Sequence, residues 1–107
     1  MNELTLENGI TIQIAENDLD TQYDWTTALS MCQALGEGWR LPTIYEIENI
    51  FENREILDFA NYGYWTYWSS DVINTEQAFG FSGVEGIIIQ ESKNERFYVR
   101  AVKTISK

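Results

Sequence analysis

The period of the hydrophobic pattern changes near Tyr62 from that of helices to that of strands, and this change constrains the fold more than any other sequence feature. Before that point, apolar residues recur at helical spacing in two segments, and after it they follow the period of β-strands. One earlier strand is predicted at Ile10–Ile14, where isoleucine alternates with polar residues. Helices that precede a run of strands indicate an α+β domain. A length of 107 residues fits a single domain, 1–107.

Two helices are predicted between Asp24 and Phe51. Asp24 stands at the N-cap position of the first helix, and Gly36 stands where that helix would end. Thr43 and Glu46 have the spacing of a capping box, which predicts the start of the second helix. The inner faces are predicted to be Trp25, Ala28, Leu29, Cys32 and Leu35 in the first helix and Ile44, Ile47, Ile50 and Phe51 in the second. The outer face of the second helix is predicted to be Tyr45, Glu46, Glu48, Asn49 and Glu52.

Four strands are predicted after the helices, at Tyr64–Ser70, Ala78–Ser82, Gly86–Glu91 and Phe97–Lys103. The connections between them are short and contain turn residues, which favours antiparallel pairing. The run Ile87–Ile89 has no alternation, so it predicts a strand that is buried on both faces.

The net charge of −10 limits the classes of partner. Such a charge repels nucleic acid backbones and anionic lipid, so neither nucleic acid nor a membrane is expected as a partner. A single cysteine and the lack of histidine exclude an intrachain disulfide, a Ser-His or Cys-His catalytic pair and a His-ligated metal. The sequence as written begins without a signal peptide pattern, so the expected location is the cytoplasm.

Asp18, Asp20 and Asp24 have a spacing that begins like a calcium-binding loop. The later positions of such a loop need a glycine and a bidentate glutamate, and Tyr23 and Leu29 stand there instead. Asp24 is better explained as a helix cap. The sequence therefore predicts no metal site and no cofactor.

Four motifs occur in an order that resembles a known bacterial domain family. They are Asp24–Ala28 with Cys32, Gly38–Thr43 (GWRLPT) with Glu46–Ile47, Tyr67–Ser70 (YWSS) and Val99–Val102 (VRAV). The family occurs at the C-terminus of the Legionella collagen-like adhesin and in Fibrobacter paralogous proteins. The resemblance implies a C-type lectin-like fold, with two helices on a curved antiparallel sheet and the first and last strands paired. It also implies a non-catalytic role in binding a protein or a glycan, and family members are often exported.

The chain departs from the better-known proteins of this fold. The calcium and sugar site of C-type lectins uses E-P-N or Q-P-D and W-N-D strings, and none of these occurs here. The paired cysteines of the formylglycine-generating oxidase are also missing, because Cys32 is the only cysteine. Binding is therefore expected to be independent of calcium, and no enzymatic activity is expected.

Eight residues within or near these motifs are assigned structural roles. Trp39 is expected to fill the core between the helices, and Arg40 and Arg100 are expected to pair with an internal acid or with carbonyl groups. Cys32 is interpreted as a small core residue. The full set is Trp25, Cys32, Trp39, Arg40, Pro42, Thr43, Trp68 and Arg100.

The candidate binding residues lie between Tyr62 and Arg96. Successive strand residues point to opposite faces, so Tyr64, Thr66 and Trp68 share one face and Trp65, Tyr67 and Ser69 share the other. One set is expected in the core and the other at the surface, where tyrosine and tryptophan favour contacts with proteins and sugars. The predicted ligand-binding residues are Tyr62, Tyr64, Tyr67, Asn94 and Arg96.

Two functional classes remain open from the sequence. The first is the binding domain described above, with its ligand and oligomeric state undetermined. The second is a small acidic cytoplasmic inhibitor, such as an immunity-type protein or a nucleic-acid mimic, which the charge of −10 and the length also fit. Enzymatic acid–base chemistry by a carboxylate pair has less support, because no spacing singles out a pair.

Overall fold

The computed structural model describes residues 2–57 and 65–106. These residues form two main helices, one short helix and six strands. In chain order they are β1 (Asn2–Thr5), β2 (Thr11–Ile14), α1 (Trp25–Ala34), α2 (Ile44–Glu52), α3 (Arg54–Leu57), β3 (Thr66–Val72), β4 (Gln77–Ser82), β5 (Ile87–Ser92) and β6 (Val102–Ser106).

The strands form two antiparallel sheets, with the orders β1-β2-β6 and β3-β4-β5. The α+β class is therefore confirmed, and so is the pairing of the predicted first and last strands, since Ile14 of β2 is opposite Val102 of β6. The single curved sheet is wrong for the described residues, because the strands divide into two groups of three. The sequence did not predict β1, since Leu4 is the only apolar residue in that strand.

The segment 97–101 was predicted to belong to the last strand, but β6 begins only at Val102. This segment lies beside β3 on one side, where the Tyr98 N–H donates to the Thr66 carbonyl (3.0 Å). On its other side, the Leu19 N–H donates to the Val99 carbonyl (2.9 Å). It makes isolated bridges that are parallel to β3 and antiparallel to the 15–23 loop, so no continuous ladder forms. The segment therefore joins the two sheets without being part of either.

Both helix starts were predicted correctly. The Asp24 carboxylate accepts a hydrogen bond from the Thr27 N–H (2.9 Å) and caps α1. Thr43 and Glu46 form the complete capping box of α2. Leu35 was predicted on the inner face, but it is exposed because it lies at the C-cap, where the helix ends and the chain turns away.

The outer face of α2 was predicted wrongly at two positions. Glu46 and Asn49 are buried because other parts of the chain cover that side of the helix. Glu46 lies against Arg40, and the Asn49 side chain accepts a hydrogen bond from the Glu7 N–H (3.3 Å) in the β1–β2 turn. The spacing of apolar residues along a helix does not show whether a loop covers its polar side.

The core consists of two clusters of buried residues, and β3 contributes one aromatic residue to each of them. Tyr67 belongs to the first cluster and Trp68 to the second. Both faces of β3 are therefore covered, and the same is true of β4, which contributes Phe81 to the first cluster and Ala78 to the second. The first cluster is Leu6, Ile12, Ile14, Ile47, Ile50, Tyr67, Phe81 and Val102. The second is Trp25, Ala28, Cys32, Leu41, Trp68, Ala78, Val99 and Ala101.

Candidate binding surface

Tyr67 was predicted to contribute to an exposed aromatic surface, and this prediction is wrong. The residue is only 1% exposed, and its hydroxyl donates to a carboxylate oxygen of Asp18 (2.7 Å). The reason is that β3 is covered on both faces at Tyr67 and Trp68, which belong to different core clusters. Tyr62 and Tyr64 lie outside the described residues.

Trp65 is the member of the predicted aromatic group that the structure places at the surface. It is 37% exposed, and its ring stacks on Tyr98 with centroids 4.1 Å apart and planes 16° apart. Offset stacking of this kind holds a ring in a fixed orientation. Tyr98 was not among the predicted site residues, although it alternates with buried Val99 in the sequence.

Asn94 and Arg96 are exposed in the turn that follows β5. The turn is held by Ser92, whose carbonyl accepts from the Glu95 N–H (3.0 Å). Hydrogen bonds from Thr27 lower the pKa of Asp24, and the nearby charge of Arg96 lowers it further. Arg96 therefore acts electrostatically at the start of α1, and the two turn residues lie apart from buried Tyr67.

Arg40 pairs with an internal acid, as the sequence predicted. Its guanidinium donates to both carboxylate oxygens of Glu46 (2.7 and 2.8 Å) and to the Thr104 hydroxyl (2.7 Å). Burial alone would raise the pKa of Glu46, but the bonds from Arg40 and from the Thr43 N–H outweigh it and leave that pKa below its usual value. The pair joins the GWRLPT segment to α2 and β6, so Arg40 and Thr43 have structural roles.

Asp18 and Arg100 form a second ion pair, which is more deeply buried. The Arg100 Nε donates to Asp18 (2.7 Å), and the two side chains are 5% and 8% exposed. The carboxylate of Asp18 also accepts from the Tyr67 hydroxyl. Arg100 additionally donates to the carbonyls of Ala15 and Glu16, so it holds the chain after β2 in place.

The three aspartates that begin like a calcium loop face different partners. Asp18 lies against Arg100, Asp20 accepts from the Tyr23 hydroxyl, and Asp24 caps α1. Within residues 2–57 and 65–106, no group of three or more His, Cys, Asp or Glu side chains is placed to hold a metal ion.

The other residues assigned structural roles are buried, with one exception. Trp25 and Trp68 donate through their indole N–H groups to backbone carbonyls, at 2.8 and 2.9 Å. The Pro42 carbonyl accepts from the Ser70 N–H (2.8 Å). Burial raises the pKa of Cys32 to about 12, so this thiol stays protonated and is a poor nucleophile.

Trp39 is the exception, because it was expected to fill the core between the helices and is only half-buried. Gly36, Glu37 and Gly38 all have positive φ (84°, 48° and 89°), and this turn places the following residue at the margin of the second core cluster. There the Trp39 ring lines an open groove of about 400 Å³ together with Leu35 and Ile14.

The surface that sequence reasoning missed is β5. Ile87 and Ile88 are 48% and 42% exposed, so the prediction that this strand is buried on both faces is wrong. The reason is its position, since among the described strands β5 pairs only with β4 and forms an edge of its sheet. The run Ile87–Ile89 was the available signal, but its sequence does not show that the strand lies at an edge.

A groove of about 290 Å³ lies over the face of this sheet, between Ile88 of β5 and the start of α2. Its lining is mostly apolar, and Ile88 and Val72 are the exposed contributors. The one acid in the lining, Asp71, accepts a hydrogen bond from the Ile44 N–H (2.7 Å) at the start of α2. We use the term β5 surface for strand β5 together with this groove, which is lined by Ile44, Asp71, Val72, Phe79 and Ile88.

A comparison with family models adds to this geometry. The model described as the Lcl C-terminal domain matches residues 7–103. The chain belongs to the Lcl C-terminal domain family. The resemblance seen in the sequence motifs is therefore confirmed. The match includes the three described helices and strands β2 to β5, and it leaves out β1, Leu6 of the first core cluster and most of β6. A comparison with curated proteins found no match.

The electrostatic surroundings of the β5 surface in this Lcl C-terminal domain are acidic. The segment 66–92 contains four acids and neither lysine nor arginine. Most described basic side chains lie against partners within the domain. Arg40 and Arg100 form ion pairs with acids. The other three lie over aromatic rings: Arg54 over Phe51, Lys93 over Trp25 and Lys103 over Trp39.

The described helices include none that is long and apolar enough to span a bilayer.

Proposed function

We propose that this Lcl C-terminal domain is a non-catalytic, calcium-independent protein-binding domain of the C-type lectin-like superfamily, and that the β5 surface contacts the partner. The pairing of β2 with β6 and the presence of two main helices support the superfamily assignment. The binding role is supported by the exposed isoleucines on an edge strand.

That exposure is the observation on which the proposal depends. Proteins usually protect an edge strand with charges, proline or a covering segment. The first half of β5 has no charge and no proline, and within residues 2–57 and 65–106 Ile87 and Ile88 stay 48% and 42% exposed. Complete burial of an isoleucine side chain contributes roughly 1.5–3 kcal/mol, so two such residues offer a partner substantial binding free energy.

The composition of the β5 surface favours a protein partner over a glycan. Its exposed side chains are aliphatic, namely Val72, Ile87 and Ile88. Aliphatic groups offer no hydrogen bonds to sugar hydroxyls, and sugar rings stack on aromatic faces instead. The aromatic residue of the groove, Phe79, is half-buried.

The state of the reactive side chains supports a non-catalytic role. The Cys32 thiol is buried and has a raised pKa. The Ser69 hydroxyl donates to the Phe79 carbonyl (2.7 Å) and accepts from the Asp71 N–H (3.1 Å), so its bonds go to the backbone. The carboxylates of Glu46 and Asp18 form ion pairs with Arg40 and Arg100.

Replacing Ile88 with lysine is expected to remove partner binding without unfolding the domain. The side chain is 42% exposed, so the fold tolerates a charge there, whereas a partner would have to bury it at a cost of several kcal/mol. The measurement is affinity capture by the immobilised domain from a bacterial lysate, followed by mass spectrometry. We expect the amount of each protein that the parent domain captures to fall at least about tenfold in the Ile88→Lys variant.

The matched control is Ile56→Lys, which adds the same charge at a residue of α3 that is 87% exposed. It is expected to retain the captured proteins. Equal capture by both variants would contradict the proposal. If moderate salt also abolished that capture, binding would depend on charge, and the acidic-inhibitor class would be favoured. The excess of acidic over basic residues, 17 against 7, supports that class. A glycan array in parallel tests the alternative ligand class.

Calcium is expected to leave the thermal midpoint unchanged. Asp18, Asp20 and Asp24 already have separate partners, so calcium would have to break those contacts in order to bind. Circular dichroism melts with millimolar calcium, with and without chelator, provide the measurement. A rise of several degrees that the chelator reverses would show that the domain binds calcium.

A further inference from the structure

The isoleucine run of β5 has the composition of a central strand, although the strand occupies an edge. One more strand beside β5 would resolve this mismatch, because β5 would then have neighbours on both sides. We infer that β5 receives an extended segment of the partner protein as a fourth strand of the sheet, and that this segment carries lysine or arginine beside its apolar side chains. This inference rests on the proposed function and specifies the chemistry of the partner.

The geometry of β5 suits the addition of a strand. Its pairing with β4 is regular over all six positions, from Ser82 opposite Ile87 to Gln77 opposite Ser92. A regular strand of this length is roughly 20 Å long and presents about half of its N–H and C=O groups to the outer side. A partner segment of similar length can therefore form a continuous ladder with it.

The other edge of the same sheet is already covered. On the outer side of β3, the Trp68 N–H donates to the Tyr98 carbonyl (3.1 Å) and the Ser70 N–H donates to the Pro42 carbonyl (2.8 Å). In the second sheet, β6 pairs with Arg40 at Val102, and β1 has only four residues. Among the described strands, β5 is thus the best suited to accept a neighbour.

The side chains beside β5 determine which residues an added strand would carry. Ile88 lies on the same face of the sheet as Phe79, so every second residue of the segment would place an apolar side chain next to Ile88 on that face. Cross-strand contacts of aliphatic and aromatic residues stabilise such pairs. Ile87 offers a further apolar contact near the β4–β5 turn.

The charges favour a basic segment over a second copy of this chain. Asp71, Glu76, Glu85 and Glu91 lie in the sheet and its turns, with no basic residue between 66 and 92 to balance them. A second copy would bring the same four acids and a further net charge of −10. Complementary charge, in contrast, increases the association rate and selects the partner.

The test uses a capped eight-residue peptide that alternates valine and lysine. Binding is measured by calorimetry, and the site is located by amide hydrogen exchange of the ¹⁵N-labelled domain. We expect added protection of outward amides within Ile87–Ser92. Two matched peptides should bind at least about tenfold more weakly. One has glutamate in place of lysine. The other has every backbone amide N-methylated, so it keeps the side chains but loses the hydrogen-bond donors.

Each other outcome overturns the inference. Equal affinity for the N-methylated peptide excludes strand addition, and protection outside β5 assigns binding to another surface. Sedimentation of the domain alone, if it shows a dimer with protected β5 amides, assigns the edge to a second copy. The proposed function fails separately: it is contradicted when Ile88→Lys and Ile56→Lys, which have the same net charge, capture lysate proteins equally.

Discussion

Replacing Asp18 with alanine is expected to lower the free energy of unfolding by about 3–5 kcal/mol. The substitution removes the Asp18 carboxylate from the guanidinium of Arg100, which is 5% exposed, and so breaks a buried ion pair while the arginine charge stays in the interior. It also removes the acceptor of the Tyr67 hydroxyl. The measurement is urea denaturation followed by tryptophan fluorescence and circular dichroism, with agreement of the two probes as the check for two-state behaviour.

The control is Asp20→Ala, which removes an exposed carboxylate two residues away and is expected to leave the midpoint nearly unchanged. A double variant, Asp18→Leu with Arg100→Met, removes both charges of this pair and should be markedly more stable than Asp18→Ala alone, because apolar side chains of similar volume do not keep a buried charge after its ion pair is broken. If Asp18→Ala were as stable as Asp20→Ala, the buried ion pair would not be present in solution.

Replacing Trp68 with alanine is expected to cost about 3–5 kcal/mol, through lost burial and the cavity that remains. The residue is completely buried, its indole N–H donates to the Tyr23 carbonyl (2.9 Å), and its ring meets Phe97 edge to face with centroids 4.8 Å apart. The measurement is the same denaturation experiment. Fluorescence alone would be ambiguous, because the substitution removes one of the reporting tryptophans.

Trp65→Ala provides the matched comparison, since it removes the same side chain three residues earlier. Trp65 is 37% exposed and stacks on Tyr98 alone among the described ring contacts, so its loss should cost clearly less. Equal losses from the two substitutions would contradict the assignment of Trp68 to the core and Trp65 to the surface.

The sequence predicted those parts of the fold that depend on local signals. Asp24 and the Thr43–Glu46 pair mark helix starts because their side chains bond to nearby backbone N–H groups. The prediction that Arg40 pairs with an internal acid or with carbonyl groups was favoured by the family resemblance, and the structure places Glu46 there. The pairing of β2 with β6 followed from the family resemblance, and the structure confirms it.

The position of each strand in its sheet could not be predicted in this way. Alternation shows which residues share a face, but it does not show how many neighbours a strand has. The sequence therefore assigned an exposed face to β3, where Tyr67 is buried, and a fully buried environment to β5, where Ile88 is exposed. Both errors have one cause, because β3 is covered by residues distant in sequence and β5 is not.

The segment 97–101 has a consequence for how the domain reaches its native state. Its backbone bonds reach both β3 and the 15–23 loop, and β6 follows it directly. The N-terminal strands and the β3–β5 hairpins thus depend on residues that the ribosome makes after all of them. Neither half can complete its interior before residues 97–101 have been made, so the two halves should fold together, and slowly, because their pairing depends on distant contacts.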